Sequence, residues 1–271
     1  MKQTLKKTFS FLFFNNLFQI EPFFGWITKG IISPAKVHKK VFNKTVLRFN
    51  IASTETYKFM KKFWISTREK YTRELIIKHM NDGDIFLNIG AHIGTFVVFA
   101  NKLKKLKHTI CIEASSSNVG QLLININLNS LRNIKVFHSA AGNVDKFVEF
   151  SYENLNPGYY NGRVLDLHYL KRQKNPIQGA EFIQMKKIDN IFKENKLPFP
   201  SFLLMDVDGH ENLALEGMKN ILKNKSLKFA IIETTKQTDV AVIKFMKKVG
   251  FTLSKEINNN EEVNNRFFKK I

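Results

Sequence analysis

At 271 residues, the chain is long enough to bury a substantial core as one large domain with an extension, rather than as two full domains. Its apolar content of 44% indicates a globular protein and excludes a disordered one. The single cysteine, Cys111, lies inside an apolar run, which excludes a disulfide framework and favours a reducing, cytoplasmic compartment.

The net charge of +20 at pH 7 predicts attraction to anionic surfaces. The lysines are scattered along the chain without an arginine-rich block, and biased codon usage alone could produce such a composition. The charge is therefore weak evidence for a particular partner, and we do not expect nucleic acid to be one. The sequence leaves the oligomeric state open.

Residues 1–30, MKQTLKKTFSFLFFNNLFQIEPFFGWITKG, combine lysines with many aromatic side chains. No apolar run approaches the roughly 20 residues that span a bilayer. Asn15 and Asn16 interrupt the short apolar stretch, which argues against a signal peptide. Two alternatives remain: the segment packs as a helix over the main domain, which we favour, or it makes a peripheral contact with the inner face of the membrane.

Residues 1–80 are predicted to form an N-terminal extension with helical and strand elements, and residues 81–271 the main domain. Within the extension, VLRFNI at 46–51 alternates like a strand, and Thr72–Met80 has the pattern of a helix. The sequence NDG at 81–83 marks the turn into the main domain.

From residue 84 onward, strand and helix patterns alternate. Five apolar runs have the length of buried strands: residues 84–89, 109–113, 134–138, 202–206 and 228–233. Helical spacing of apolar residues recurs in residues 96–103, 119–126 and 242–249. Such alternation predicts an α/β fold with a mostly parallel sheet and helices on both faces. The chain ends with two short strand patterns, 251–257 and 266–271, which predict an antiparallel hairpin.

Residues 139–200 interrupt this alternation. They contain an extra strand pattern, VEFSY at 148–152, and a stretch rich in Pro, Gly and Tyr at 154–179. Within that stretch, Tyr159 and Tyr160 belong either to the lining of an acceptor pocket or to a solvated loop.

Polar residues follow the predicted strands at the positions where open α/β sheets bind ligands. Glu113 ends the second strand, about 20 residues past Gly90, so its carboxylate can accept hydrogen bonds from both hydroxyls of a ribose. Gly90 and Gly94 form a G-x-x-x-G turn, which lacks the G-x-G-x-x-G spacing that lets a helix N-terminus hold a pyrophosphate. A nucleoside ligand without phosphate is therefore favoured over a nicotinamide dinucleotide.

Four segments, in order, resemble the motifs of the FkbM-type S-adenosylmethionine-dependent methyltransferases: LNIGAHIGTFVV, ICIEASSSNVGQLLININLN, KKIDNIF and FLLMDVDGHENLALEGMKNIL. The resemblance runs from about Glu69 to Glu233. It implies a Rossmann-like class I methyltransferase fold with a seven-stranded sheet and S-adenosyl-L-methionine as cofactor. It also implies a small-molecule or glycan substrate, methylated on a hydroxyl of a sugar, glycolipid or related metabolite.

The resemblance also implies which residues bind the cofactor. Gly90, Ala91 and Gly94 match the glycine turn that passes under the methionine part. Glu113 matches the ribose-binding acid, and Ala140 falls where the family lines the adenine pocket. The full predicted set is Asn88, Gly90, Ala91, His92, Gly94, Glu113, Ala114, Ala140 and Asp206.

For the reaction, Asp206, Gly209 and Glu211 match a block that faces the transferred methyl group. A hydroxyl nucleophile needs a proton acceptor within hydrogen-bond reach, and Asp206 and His210 are the nearest candidates. We therefore predict Asp206, His210 and Glu211 as catalytic residues. For His210, a helix-start residue that faces solvent or binds Asp208 is the alternative. No metal is predicted, because these acids lack the spacing of an EF-hand loop.

The sequence departs from the family pattern at a few positions. Asn88 stands where the family usually has Asp, so a charge near the cationic end of the cofactor is lost. His92 replaces a common Asn, Ala114 a common Pro and Asp208 a common Glu. Two alternatives therefore stay open: a cofactor-binding member that has lost catalysis, and an RNA methyltransferase, which the charge favours but for which no aromatic base-stacking platform is evident.

Overall fold

The computed structural model describes residues 36–159, 162–164, 176–254 and 263–271. The aromatic N-terminal segment, and with it the choice between packing and membrane contact, lies outside these ranges. Val37–Ile271 forms one compact unit. No helix within the described ranges is long and apolar enough to cross a membrane.

The described strands fall into three sheets. In chain order they are β1 (Lys36–Phe42), β2 (Thr45–Ile51), β3 (Ile85–Ile89), β4 (His108–Glu113), β5 (Ile134–His138), β6 (Ala140–Ala141), β7 (Lys146–Tyr152), β8 (Arg163–Val164), β9 (Gly179–Lys186), β10 (Phe202–Met205), β11 (Phe229–Thr235), β12 (Phe251–Leu253) and β13 (Val263–Lys270). The helices among them are α1 (Thr54–Ile65), α2 (Thr67–His79), α3 (Thr95–Leu103), α4 (Ser116–Leu128), α5 (Ile188–Glu194), α6 (Glu211–Glu216), α7 (Lys219–Lys223) and α8 (Asp239–Lys248).

The main sheet has seven strands in the order β12-β13-β11-β10-β3-β4-β5. Neighbouring strands run parallel, except that β13 is antiparallel to both β11 and β12. The predicted Rossmann-like class I fold, with its antiparallel C-terminal strand pair, is confirmed. Strand order reverses at β3, between β4 and β10, which is where such sheets bind ligands.

Alternation along the central strands places apolar side chains on both faces of the sheet. On β3, Leu87 and Ile89 pack into a core with α5 to α8, and Phe86 packs into a second core with α1 to α3. Both faces are therefore covered by helices, which explains the near-continuous apolar strands.

Helix α4 buries an amide stripe beside only part of the apolar face that its spacing predicts: Leu122 is buried and Ile126 partly buried. Asn125 Oδ1 accepts the Asn50 backbone N–H at 2.8 Å, and Asn129 Oδ1 accepts that of Arg48 at 2.9 Å. These side chains provide hydrogen-bond partners for backbone groups at the edge of β2, which would otherwise have none. Leu123, on the predicted apolar face, is exposed as a result.

Helix α2 begins at Thr67, five residues before the predicted start at Thr72. The first turn was missed because it is polar: Glu69 is buried and Arg68 partly buried there through ion pairing rather than through an apolar pattern. The predicted domain boundary after residue 80 stays a prediction.

A second sheet of four strands, in the order β6-β9-β7-β8, covers the carboxyl end of the main sheet. The sequence predicted only β7. Its partner β9 has exposed side chains at alternate positions, including Phe182, so its composition did not indicate a strand. The inner face of this sheet, with Phe150 and Tyr152, lines the cleft described below.

Candidate active site

The turn after β3 requires glycine at position 90 because two backbone segments are in contact there. Gly90 has φ 75°, and a Cβ at this position would lie 1.7 Å from the backbone oxygen of Asp206 at the end of β10. The Gly90 N–H donates to the Ile112 oxygen of β4 at 2.8 Å. Gly94, with φ 82°, then caps α3, and a Cβ there would collide with a leucine of α4. The turn therefore brings the ends of β3, β4 and β10 together.

Glu113, at the end of β4, is held by backbone groups. Its Oε2 accepts the His92 N–H at 2.7 Å, and its Oε1 accepts the Ser115 N–H at 2.9 Å. An ionised carboxylate has about four acceptor positions, so acceptor capacity remains on this side chain. Burial raises the pKa of Glu113, and the two backbone hydrogen bonds oppose that rise.

His92 packs within the wall of the cleft. Its ring lies 4.1 Å from that of Phe59, centroid to centroid, and its Nε2 lies 3.3 Å from the Tyr159 oxygen. Burial lowers the pKa of His92 to about 4, so the imidazole is neutral at pH 7. This side chain therefore shapes the cleft without adding charge.

A cleft opens at the carboxyl ends of β3, β4 and β10. Six of the predicted cofactor-binding residues line it: Gly90, His92, Glu113, Ala114, Ala140 and Asp206. A smaller cavity joins the cleft at Gly90, His92 and Asp206. We call it the small cavity; Asn88 and Ala91 line it together with Glu69, Glu233 and Asn265. Gly94 lines neither space.

The loop after β7 passes over the cleft. The Pro157 oxygen accepts a hydrogen bond from Ser53 Oγ at 2.8 Å, which ties this loop to the start of α1. Asn118 Nδ2 donates to the Tyr159 oxygen at 3.3 Å, and Tyr159 lines the cleft. Tyr160 lies outside the described residues. The acceptor-pocket interpretation of Tyr159 is thus compatible with its position.

Three acids meet at the carboxyl ends of β10 and β11. Carboxylate oxygens of Asp206, Asp208 and Glu233 lie within 4.8 Å of one another, and Asp206 is exposed to the cleft. Such a group can hold a metal ion. Arg68 Nη1 lies 3.2 Å from Glu233 Oε2 and already supplies positive charge there. The absence of a metal stays a prediction.

The close approach of these acids raises their pKa values. The surrounding protein desolvates Asp206 although its carboxylate faces the cleft, and this desolvation, followed by repulsion from Glu233 and Asp208, raises the pKa of Asp206 well above its usual range. Burial also raises the pKa of Glu233 to about 7, although the Arg68 guanidinium opposes this shift. Raised carboxyl pKa values in a cleft are typical of groups that exchange protons during a reaction.

The predicted catalytic residues separate into two groups. Asp206 and His210 line the cleft. Glu211 is buried and lines neither cavity, and its Oε1 accepts the Gly209 N–H at 2.7 Å. Glu211 therefore holds the loop that carries Asp208, and its catalytic role stays a prediction.

Residues 88–253, more than half of the chain, match the family model described as Methyltransferase FkbM domain. This chain belongs to the FkbM methyltransferase family. The matched domain is a methyltransferase domain, and S-adenosyl-L-methionine is the cofactor of this family.

Several solved structures are similar to this chain at low identity. A methyltransferase FkbM from Methylobacillus flagellatus KT is 15% identical, with a TM-score of 0.49, over 81% of this chain and 56% of that one. This chain thus spans about half the length of that protein. An S-adenosylmethionine-dependent methyltransferase from Aquifex aeolicus is 12% identical, with a TM-score of 0.45, over 81% of this chain and 100% of that one. TYW2 from M. jannaschii, solved in complex with AdoMet, is 13% identical, with a TM-score of 0.41, over 89% of this chain and 90% of that one. No curated protein matches the chain. The fold assignment therefore rests on the strand order.

The described residues of this FkbM methyltransferase fit the cofactor. Glu113 offers a carboxylate for the ribose hydroxyls, and Ala114 and Ala140 give the apolar walls that an adenine needs. Acidic side chains surround the other end of the joined cavities, where they suit the cationic part of the cofactor.

Replacing Glu113 with Ala should weaken binding of S-adenosylhomocysteine. The variant loses charged hydrogen bonds to the ribose, each worth about 1.5–3 kcal/mol, and it also frees the His92 N–H that shapes the turn. Isothermal titration calorimetry measures the loss. Unchanged affinity would remove Glu113 from the binding site.

The raised pKa of Glu233 predicts that the cofactor-free protein loses stability as pH rises. The folded state binds this proton with a pKa of about 7, against 4.5 as the ordinary value, so the loss occurs between these two pH values. At about 1.4 kcal/mol per pH unit between pH 4.5 and 7, we expect a loss of about 3.5 kcal/mol. His92, with its pKa lowered to about 4, acts in the opposite direction over part of this range.

Urea unfolding of the wild type and of Glu233→Gln therefore has to be compared at each pH. The variant should gain stability relative to the wild type as pH rises from 4.5 to 7. A difference between the two proteins that stays constant with pH would show that Glu233 titrates normally.

Proposed function

We propose that this chain methylates a hydroxyl group of a sugar, glycolipid or related metabolite. The observation that supports this most strongly is the position of Asp206, whose side chain is exposed at the junction of the cleft and the small cavity. Its raised pKa makes it a better proton acceptor for a hydroxyl than an ordinary surface carboxylate.

For methyl transfer, the protein has to align the acceptor hydroxyl with the methyl group more than it has to activate the methyl group. When bound, S-adenosylmethionine supplies a methyl group on a positively charged sulfur and leaves as S-adenosylhomocysteine. Asp206 accepts the hydroxyl proton as the new carbon–oxygen bond forms, and the protein aligns the hydroxyl for in-line attack. Tyr159 and Phe59 line the same cleft and offer apolar faces to the acceptor.

The charge of the cavities argues against RNA as the alternative acceptor. Among the described residues, five carboxylates and one guanidinium line the cleft and the small cavity: Glu69, Glu113, Asp206, Asp208 and Glu233, with Arg163. A phosphate backbone gains affinity from lysine and arginine contacts, and an acidic floor repels it. The net charge of the whole chain remains the observation that favours RNA.

The alternative of a member without catalysis rests on Asn88. In the structure, Asn88 lines a cavity that other acids already make negative. The neutral amide therefore does not remove the charge that the cofactor needs, and this observation supports an active enzyme.

Release of S-adenosylhomocysteine, measured against sugars, glycolipid extracts and RNA, tests the acceptor class. We expect turnover with the carbohydrate samples and a weak dependence on salt, because a neutral hydroxyl acceptor displaces few counterions. Asp206→Asn serves as the inactive control. Turnover with RNA alone, falling steeply with salt, would replace this proposal with the RNA alternative.

A further inference from the structure

The β1–β2 hairpin and helix α1 carry much of the positive charge of the chain. Residues 36–65 contain eight lysines and arginines and one acid, Glu55, which gives a net charge of +7, against +20 for all 271 residues. No acid occurs between Glu21 and Glu55. This part of the molecule therefore has a positive potential, which attracts anionic partners.

Helix α1 exposes apolar and basic side chains together on the side that faces away from the core. Phe63 is buried, whereas Tyr57 is 54% and Ile65 70% exposed. Lys58 and Lys61 are exposed on the same side, because residues three or four apart are neighbours on a helix surface. Large apolar side chains beside lysines are typical of helix faces that lie in the interface of a membrane.

The β1–β2 hairpin continues this side of α1. Lys40 Nζ lies 5.4 Å from the centroid of the Trp64 ring, and Trp64 directly precedes the exposed Ile65. Phe42, on the same strand as Lys40, stacks on Trp64 with 6.3 Å between the ring centroids, which holds the hairpin against the helix. We call the resulting area the basic surface; it consists of Lys40, Tyr57, Lys58, Lys61 and Ile65.

Acids neutralise little of the charge of the basic surface. Lys58 Nζ lies 3.0 Å from Glu55 Oε1, in an exposed pair. Among the described residues, no acid forms an ion pair with Lys40 or Lys61. Lys62, on the same helix, does not belong to the basic surface, because it acts on acids beside the cleft. The complement of the basic surface is therefore an anionic partner that also accepts apolar side chains.

We propose that the basic surface docks on an anionic phospholipid membrane. The lysine ammonium groups bind the lipid phosphates, and Tyr57 and Ile65 enter the headgroup region. RNA fits this surface less well, since phosphate contacts make no use of Ile65. The basic surface also contains no arginine on which a base could stack.

Membrane docking does not depend on the identity of the methyl acceptor. Phe59, on another side of α1, lines the cleft, so docking places this wall of the cleft about one helix diameter, roughly 10 Å, from the headgroups. A glycolipid then becomes the favoured acceptor, a consequence that rests on the proposed function. Vesicle binding and turnover are measured separately, so failure of the docking is distinguishable from failure of the proposed function.

Cosedimentation of the full chain with lipid vesicles tests the docking. Vesicles that contain phosphatidylglycerol should bind the protein, pure phosphatidylcholine vesicles should not, and binding should weaken as salt rises. A triple variant, with Lys40→Gln, Lys58→Gln and Lys61→Gln, should bind about 100-fold more weakly, since each lysine near an anionic surface contributes about fivefold. Ile65→Gln should weaken vesicle binding several-fold and leave any RNA binding unchanged.

The matched control carries Lys244→Gln, Lys247→Gln and Lys248→Gln, three exposed positions on α8. Its net charge changes by the same amount, and it should bind vesicles like the wild type. An equal loss in both triple variants would show that net charge alone attracts the protein, which would overturn the assignment of the basic surface.

Three further results would overturn the proposal. Wild-type protein that does not bind phosphatidylglycerol vesicles would refute docking, and a triple variant that binds like the wild type would place docking elsewhere on the chain. RNA binding that the triple variant loses, without vesicle binding, would assign the basic surface to RNA. If the triple variant fails to fold, Lys58→Gln combined with Lys61→Gln gives the same test, with an expected loss of about 30-fold.

Discussion

Gly90→Ala should destroy cofactor binding and strongly destabilise the protein. The added Cβ would lie 1.7 Å from the Asp206 oxygen and 2.8 Å from its carbonyl carbon, both backbone atoms in the centre of the sheet. The left-handed φ of 75° adds about 1–2 kcal/mol, and overpacking adds about 1–3 kcal/mol. Urea unfolding and calorimetry with S-adenosylhomocysteine measure the two effects.

Gly120→Ala is the control for this prediction. Gly120 lies within α4, and a Cβ there has no heavy atom within 4 Å. Alanine in a helix interior is more stable than glycine by about 0.5–1 kcal/mol, so this variant should gain stability and bind normally. A Gly90→Ala protein that melts and binds like the wild type would show that β3 and β10 do not approach as described.

Asp206→Asn should lower turnover by about 10²–10⁴-fold, the usual contribution of a general base. Binding of S-adenosylhomocysteine should persist, because the amide keeps the shape of the side chain. The cofactor-free variant should melt at the same temperature or higher, since one charge is removed from a group that also contains Asp208 and Glu233. Single-turnover kinetics separate the chemical step from binding.

Two neighbouring variants test whether Asp206 is the base. His210 lines the same cleft, whereas Glu211 supports the loop through Gly209. We expect His210→Gln to lower turnover modestly. We expect Glu211→Gln to lower the stability of the protein more than it lowers the rate of the chemical step. If His210→Gln lost most of its turnover while Asp206→Asn kept nearly all of it, His210 would be the base.

The raised pKa of Asp206 also fixes the direction of the pH dependence. The base acts only when deprotonated, so turnover should fall as the pH drops below this raised pKa. The group titrates together with Glu233 and Asp208, so the profile belongs to all three carboxyl groups. In Asp206→Asn, residual turnover should lose this dependence.

The sheet was predictable because its central strands are buried on both faces. The runs that form β3, β4, β10 and β11 are nearly continuous in apolar residues, whereas β5, at the sheet edge, alternates. The ends of all five strands were placed within about two residues. The polar residues at those ends, Glu113 and Asp206, could then be assigned to one edge before their distance was known.

Other parts could not be predicted because their partners are distant in sequence. Glu69 lies on a helix of the N-terminal extension, and no local spacing connects it to Glu233 or Asn265. The amides of α4 appeared to be surface residues, and only the edge of β2 explains their burial. Glu233 could have been predicted as a site residue, because it is an acid at the carboxyl end of the fifth predicted strand.

A crystal structure of the protein with S-adenosylhomocysteine tests the central claim most directly. It should show the ribose hydroxyls within hydrogen-bond distance of Glu113 and the sulfur beside Gly90. A nucleoside in the cleft whose ribose does not contact Glu113 would contradict the assignment of that residue. A ligand bound outside the cleft would contradict the account as a whole.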